Sequence, residues 1–248
     1  MKKKALIVHG GWDGHEPKDV AHIFKGILEE DDFEVEVSDT LDAYADAEKL
    51  MGLDLIVPHW TMGEIKQQYV NNISAAVMSG VGLAGCHGGM CDSFRKNVDW
   101  QFMTGGNWVA HPGNDGVEYV VNIKHSSSPL LEGMEDFKVV SEQYYLQVDP
   151  AVEVLATTRF PVVDGPHALN KAVDMPVVWT KRWGHGRVFY SSLGHVANII
   201  AMPEVSLIME RGFNWAADGK AKAEGQELQT FSASGNGSRI YTGMGDSQ

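Results

Sequence analysis

The chain has 248 residues, 44% hydrophobic, 21% charged and 9% aromatic, and its 20 basic residues against 33 acidic ones leave a formal net charge of −13. Length and composition suit one large α/β domain or two small ones, and they exclude collagen-like, wholly disordered and disulfide-framework proteins. A field this negative repels phosphate backbones and anionic membranes, so nucleic acid and membrane surfaces are not expected as partners and a small neutral or cationic ligand is.

The basic opening Met1-Lys2-Lys3-Lys4 precedes only four apolar residues, Ala5 to Val8. That run is too short for a secretory leader and reads as the first strand of a cytoplasmic protein. Residues 4–9 form this strand, and Gly10-Gly11 ends it. Residues 17–30 read as a helix, with Val20, Ile23, Phe24, Ile27 and Leu28 on one face and Pro17 in the first turn. Residues 33–37 alternate apolar and acidic, whereas 53–57 are the continuous apolar run of a strand buried on both faces. A second helix fits 65–78, with Ile65, Tyr69, Ile73, Ala76 and Val77 aligned, and 81–85 read as another buried strand. Strands alternating with helices predict a mostly parallel, doubly wound α/β sheet.

After Gly106 the texture becomes strand-rich, with short candidates at 117–123, 137–140, 144–148, 152–157, 176–180 and 187–192. Residues 182–187 read as a hairpin turn whose charges face solvent. A last helix fits 202–217, so a single domain is expected over 1–218. Residues 219–248 carry only Leu228, Phe231, Ile240, Tyr241 and Met244 as anchors, and are expected to be a mobile tail or one that docks on the body or a neighbouring subunit. Self-association into a homo-oligomer is therefore an expectation.

Ligands of open parallel sheets bind beyond the carboxyl ends of the strands. His9 and His15 follow the first strand, His59 ends the 53–57 strand, His87 follows 81–85 and His195 follows 187–192. Converging imidazoles make a metal or acid–base site. Gly85-Cys86-His87-Gly88-Gly89 has the spacing of a nucleophile elbow with His87 at its centre, which turns Cys86 toward packing and disfavours a thiol nucleophile. Cys86 and Cys91 are expected to be reduced. No phosphate-binding glycine pattern follows the first strand, so no nucleotide cofactor is expected. Trp12, Trp60, Trp108, Trp179 and Trp183 fall near loops and strand ends, where aromatic faces suit pyranose rings, with core packing as the competing reading. Asp13, Asn107 and Asp115 offer partners for hydroxyls.

Several segments together resemble the ThuA-like (trehalose-utilisation) family. They are Gly11-Trp12-Asp13-Gly14-His15-Glu16-Pro17, Gly82 to His87, Gly105-Gly106-Asn107-Trp108-Val109-Ala110-His111-Pro112, Ser141-Glu142-Gln143-Tyr144-Tyr145, and the stretch from Pro176 to His195. The resemblance covers about residues 4 to 218. It implies a flavodoxin-like fold, similar to class I glutamine amidotransferases, and a role in sugar metabolism. Glutamine hydrolysis would need Cys at the elbow centre and Glu two residues beyond the late His, whereas this chain has His87 and Ala197 there, so amidotransfer is not expected.

The family motifs also single out His15, His87, Glu142 and His195, with His111 and Tyr144 as second candidates. This set suits Zn²⁺ or another divalent transition metal. Without metal, Glu142 would take a proton and His87 or His195 would give one. Trp12, Asp13, Trp60, Asn107, Trp108, His111 and Tyr144 form the expected sugar-binding set. The expected activity is a hydrolase, lyase or isomerase acting on a small neutral sugar such as trehalose or a related disaccharide or keto-sugar. A non-catalytic sugar-binding or regulatory module is the alternative.

Overall fold

In the computed structural model, which describes residues 2–124, 128–160 and 169–223, β1 (Lys3–Gly11) forms with α1 (Pro17–Glu30) and β2 (Phe33–Ser38) the first of several βαβ units. The chain continues through α2 (Ala47–Met51), β3 (Leu55–Thr61), α3 (Gln67–Ser79), β4 (Gly82–Cys86) and the short α4 (Gly88–Cys91). Then come α5 (Val98–Thr104), β5 (Gly106–Ala110), β6 (Val117–Ile123), β7 (Phe137–Ser141), β8 (Tyr145–Val148) and β9 (Glu153–Phe160). β10 (Val173–Trp183), β11 (Gly186–Ser191), α6 (Ala197–Ile200) and α7 (Pro203–Ala223) complete the described chain.

Among the described residues the main sheet has nine strands in the order β2-β1-β3-β4-β11-β10-β9-β6-β7. The first five are mutually parallel and follow the flavodoxin-like order, with β11 in fifth place. The other four join by antiparallel pairing. β5 and β8 form a separate antiparallel ribbon.

Alternation along each parallel strand builds two apolar layers. Ala5 and Ile7 of β1, Leu55 and Val57 of β3, Ala84 of β4 and Phe189 of β11 pack with Phe24 of α1 and Phe213 of α7. Leu6, Val8, Ile56, Leu83, Val188 and Tyr190 point the other way, toward Ile73 of α3 and Trp100 of α5. A one-residue register slip would exchange the layers, so the apolar runs set the register as well as the depth. No helix among the described residues is long and apolar enough to cross a membrane.

Two expectations change. The last helix runs to Ala223 rather than ending near 217, because Lys220 Nζ donates to the carbonyls of Met51 and Leu53 and Ala223 packs beside Gly80. The rest of the expected tail, including Leu228, Phe231, Ile240, Tyr241 and Met244, lies outside the described residues. The hairpin between β10 and β11 forms, yet Arg187 is buried: its guanidinium donates to Trp215 O and stacks on the Trp215 ring.

His59 near the end of β3 is 1% exposed, packed edge-on against Phe24, and neither ring nitrogen has a hydrogen-bond partner among the described residues. Burial pushes its pKa from 6.5 down to about 3. The unfolded chain therefore takes up a proton that the folded chain refuses between those values, and stability falls as the pH drops through that window, by up to ~1.4 kcal/mol per pH unit. Chemical denaturation from about pH 7 to about pH 4.5 should give a steeper loss for the wild type than for His59→Gln; equal slopes would contradict this.

Candidate metal and catalytic site

The β2-β1-β3 arrangement makes the carboxyl ends of β1 and β3 the switch point of the parallel half, where the following helices depart to opposite faces. His15 closes a single 3-10 turn after β1, and the next residue, Glu16, is left-handed (φ 48°). Glu16 Oε2 accepts from Ala197 N at 2.9 Å, tying this turn to the segment that follows β11 and carries His195. His87 occupies the turn from β4 to α4 with φ 46° and ψ −140°, the strained backbone of an elbow centre. Its N–H donates to Ser191 O at 2.7 Å. A Cβ on Gly88 would lie 2.5 Å from His15 Cε1, so only glycine lets the elbow approach that ring.

The fourth member comes from the antiparallel extension. Glu142 is one residue past β7, and its backbone carbonyl accepts from Tyr119 Oη at 3.0 Å. Its Oε2 lies 3.0 Å from His87 Nε2, 3.1 Å from His111 Nδ1, 3.4 Å from His195 Nδ1 and 3.9 Å from His15 Nε2. His15, His87, Glu142 and His195 are all buried and offer ligand atoms within 4.8 Å of one another.

The tautomers follow from the outer partners. His87 Nδ1 is 2.8 Å from Ser192 O, and a carbonyl only accepts, so Nδ1 carries the proton and a neutral His87 turns the lone pair of Nε2 toward the carboxylate. Burial lowers the pKa of His87 against its contact with Glu142, and burial pushes that of His15 down to about 2. Burial alone would raise Glu142, but contact with His195 and His87 outweighs it and holds the carboxyl well below the usual range. The ionised carboxylate and Nε2 of His87, 3.0 Å apart, need one positive charge between them, either a second proton on His87 or a bound cation. His15 Nδ1 pairs with Thr61 Oγ1 at 2.8 Å, which orients its Nε2 inward.

Of the expected site residues, the fold brings together His15, His87, Glu142, His195 and His111, with Tyr144 stacked on His87 at 3.9 Å between ring centroids. Trp12, 46% exposed, meets His15 edge-on at 4.8 Å, and Trp108 meets His111 edge-on at 5.4 Å. Three expected residues are not part of this group. Trp60 lays its ring over Gly10 and Gly63, Asp13 stays exposed in its turn, and Asn107 faces the other side of the β5 strand from Trp108 by alternation. Trp179 is core. Cys86 is fully buried, and burial raises its thiol, as the elbow register implies.

Sequence reasoning missed Thr61, the Ser192 carbonyl and Arg95, whose guanidinium forks onto Asp92 and covers Trp108 at 4.4 Å. Thr61 carried a signal, as the residue ending the strand beside His15. A backbone carbonyl carries none.

In Glu142→Gln the amide donates to the His87 Nε2 lone pair, so the metal-free variant should melt no lower than the metal-free wild type, with about 1 kcal/mol gained at most. Thermal melts in chelator at about pH 8 check this. A drop of several degrees would indicate a His87 imidazolium paired with Glu142 instead.

A family model described as trehalose utilisation (ThuA) matches residues 4–216. Among solved structures, a ThuA-like protein from Parabacteroides merdae ATCC 43184 superposes with a TM-score of 0.69 at 18% identity, covering 89% of this chain and 91% of the other. A ThuA-like protein from Bacteroides uniformis ATCC 8492 gives 0.68 at 20% identity over 86% and 91%. A cytoplasmic protein from Salmonella typhimurium LT2 gives 0.58 at 11% identity over 88% and 98%. At these identities the structural likeness is one of fold. No curated protein matches the chain significantly. The family match runs from β1 into α7 and takes in every residue of the His/Glu cluster: the chain belongs to the ThuA, or trehalose-utilisation, family.

Proposed function

We propose that the protein is a carbohydrate-processing enzyme, a hydrolase, lyase or isomerase, whose site is a divalent transition-metal centre held by His15, His87, His195 and Glu142. The observation that carries this reading is the buried Glu142 carboxylate ringed by imidazole nitrogens at 3.0 to 3.9 Å, with no lysine or arginine paired to it among the described residues. Ligand atoms on a tetrahedral zinc with bonds of about 2.0–2.1 Å stand roughly 3.3 Å apart, so the donor set fits such an ion with small adjustments. Family membership supports the sugar link.

A bound metal would supply Lewis acidity toward a sugar hydroxyl or carbonyl oxygen. The protein's own residues do the rest. Ser192 O and Thr61 Oγ1 hold the rings of His87 and His15 so that both present Nε2 to the site. Tyr144 seals one face of His87. Trp12, 46% exposed, offers an apolar face beside the cluster for a sugar ring, while Trp108 lies under the Arg95 guanidinium, which is itself paired with Asp92. Cys86 and Cys91 take no part, since burial keeps both as thiols.

Elemental analysis should give about one zinc, manganese or cobalt per chain, reduced at least tenfold in His15→Ala and His87→Ala. Proton NMR of a panel of neutral disaccharides and their keto derivatives should then reveal turnover by the loaded wild type and none by Glu142→Ala. Sugar binding without turnover by the metal-loaded protein would overturn the enzymatic reading in favour of a binding module.

A further inference from the structure

The histidine that does not belong to the closed set is the informative one. His111 follows β5 directly, on the ribbon rather than at the end of a parallel strand. Its side chain is 32% exposed, against 3%, 1% and 10% for His15, His87 and His195. The Nδ1 atom is buried and lies 3.1 Å from Glu142 Oε2, yet off the hydrogen-bonding direction, so it has no hydrogen-bond partner among the described residues. Among the described residues no outer partner anchors the ring as Ser192 and Thr61 anchor His87 and His15; His195 Nδ1 has none either, but its ring is nearly sealed from solvent. Its neighbours are the ring edges of Trp108 at 5.4 Å and Tyr144 at 6.1 Å.

Exposure separates three sealed imidazoles from one that solvent reaches. Three imidazoles and one carboxylate would account for four positions, so a substrate oxygen would enter as a fifth donor, as catalytic zinc permits when its coordination expands. Every member of the closed set is nearly sealed, so the side reached from solvent is the one His111 occupies.

The geometry points to His111 as a displaceable donor: it caps the open side of the centre proposed above and swings aside when an oxygen of the substrate, a sugar hydroxyl or carbonyl, takes its place. The inference rests on that metal reading. It assigns His111 a role different from the sugar contact expected from sequence, since His111 leaves when substrate arrives. The ring stays tethered to the ribbon, so its effective concentration beside the site, in the millimolar range for a short tether, sets how strongly an incoming ligand must compete.

The test uses the full-length protein loaded with Co²⁺, whose visible spectrum reports the donor set, and imidazole as the probe. His111→Ala and His111→Gln should take up about one Co²⁺ per chain with affinity within roughly threefold of wild type, while His15→Gln loses at least tenfold. The spectrum of His111→Ala should differ from wild type, and about 10 mM imidazole should return it toward wild type while leaving the wild type itself unchanged. A loss of Co²⁺ in both His111 variants as large as in His15→Gln would make His111 a resident ligand and overturn the inference. Unchanged spectra that ignore imidazole would make it a bystander and overturn it equally. No Co²⁺ uptake by the wild type would overturn both this inference and the metal reading, whereas uptake with a silent His111 overturns this one alone.

Discussion

A carboxylate buried among imidazole nitrogens is the constraint around which this structure is arranged. Glu142 cannot be paired by His87 in its neutral form, because the His87 proton is already committed to the Ser192 carbonyl. Burial disfavours the charged ring, and the carboxyl stays below the ordinary range. The charge needs a positive partner in the site, a proton on an imidazole or a bound cation, and a metal centre is the reading proposed for it.

The two halves of the fold meet at that charge. The parallel half supplies the three buried histidines from the ends of β1, β4 and β11, each at a turn the adjoining strands hold in place. The antiparallel extension supplies Glu142 and, through the β5–β8 ribbon, His111, Trp108 and Tyr144. Neither half alone has both the donors and the charge. The strained elbow at His87 costs of order 1–3 kcal/mol and persists because the Ser191 carbonyl and the Tyr190 hydroxyl hold the backbone on either side. Its glycine neighbour leaves room for His15, so the strain brings two imidazoles into one site.

The parallel half was legible in the sequence because β3 and β4 are buried on both faces and α1 has a single apolar stripe; residues 17–30 form the helix that their spacing predicts. Boundaries slipped where partners far along the chain decide them, as where Met51 and Leu53 carbonyls extend α7. β5 was not anticipated, since Gly106 to Ala110 acquires strand character only by pairing with β8. In the site, His15, His87, Glu142 and His195 were named from family motifs, and strand-end position pointed independently to the three histidines. Trp60 and Asn107 were misplaced because residue type alone does not tell which side of a strand a ring or amide faces. The Ser192 carbonyl, which sets the tautomer of His87, leaves no trace in residue identity.

The most direct test of the central claim is anomalous diffraction from crystals grown with Zn²⁺, recorded on both sides of the zinc absorption edge. The account predicts one peak per chain at about 2.0–2.2 Å from His15 Nε2, His87 Nε2, His195 Nδ1 and a Glu142 oxygen. A full-occupancy zinc elsewhere with no peak in this cluster, or a cluster closed by a His87 imidazolium on Glu142, would contradict it.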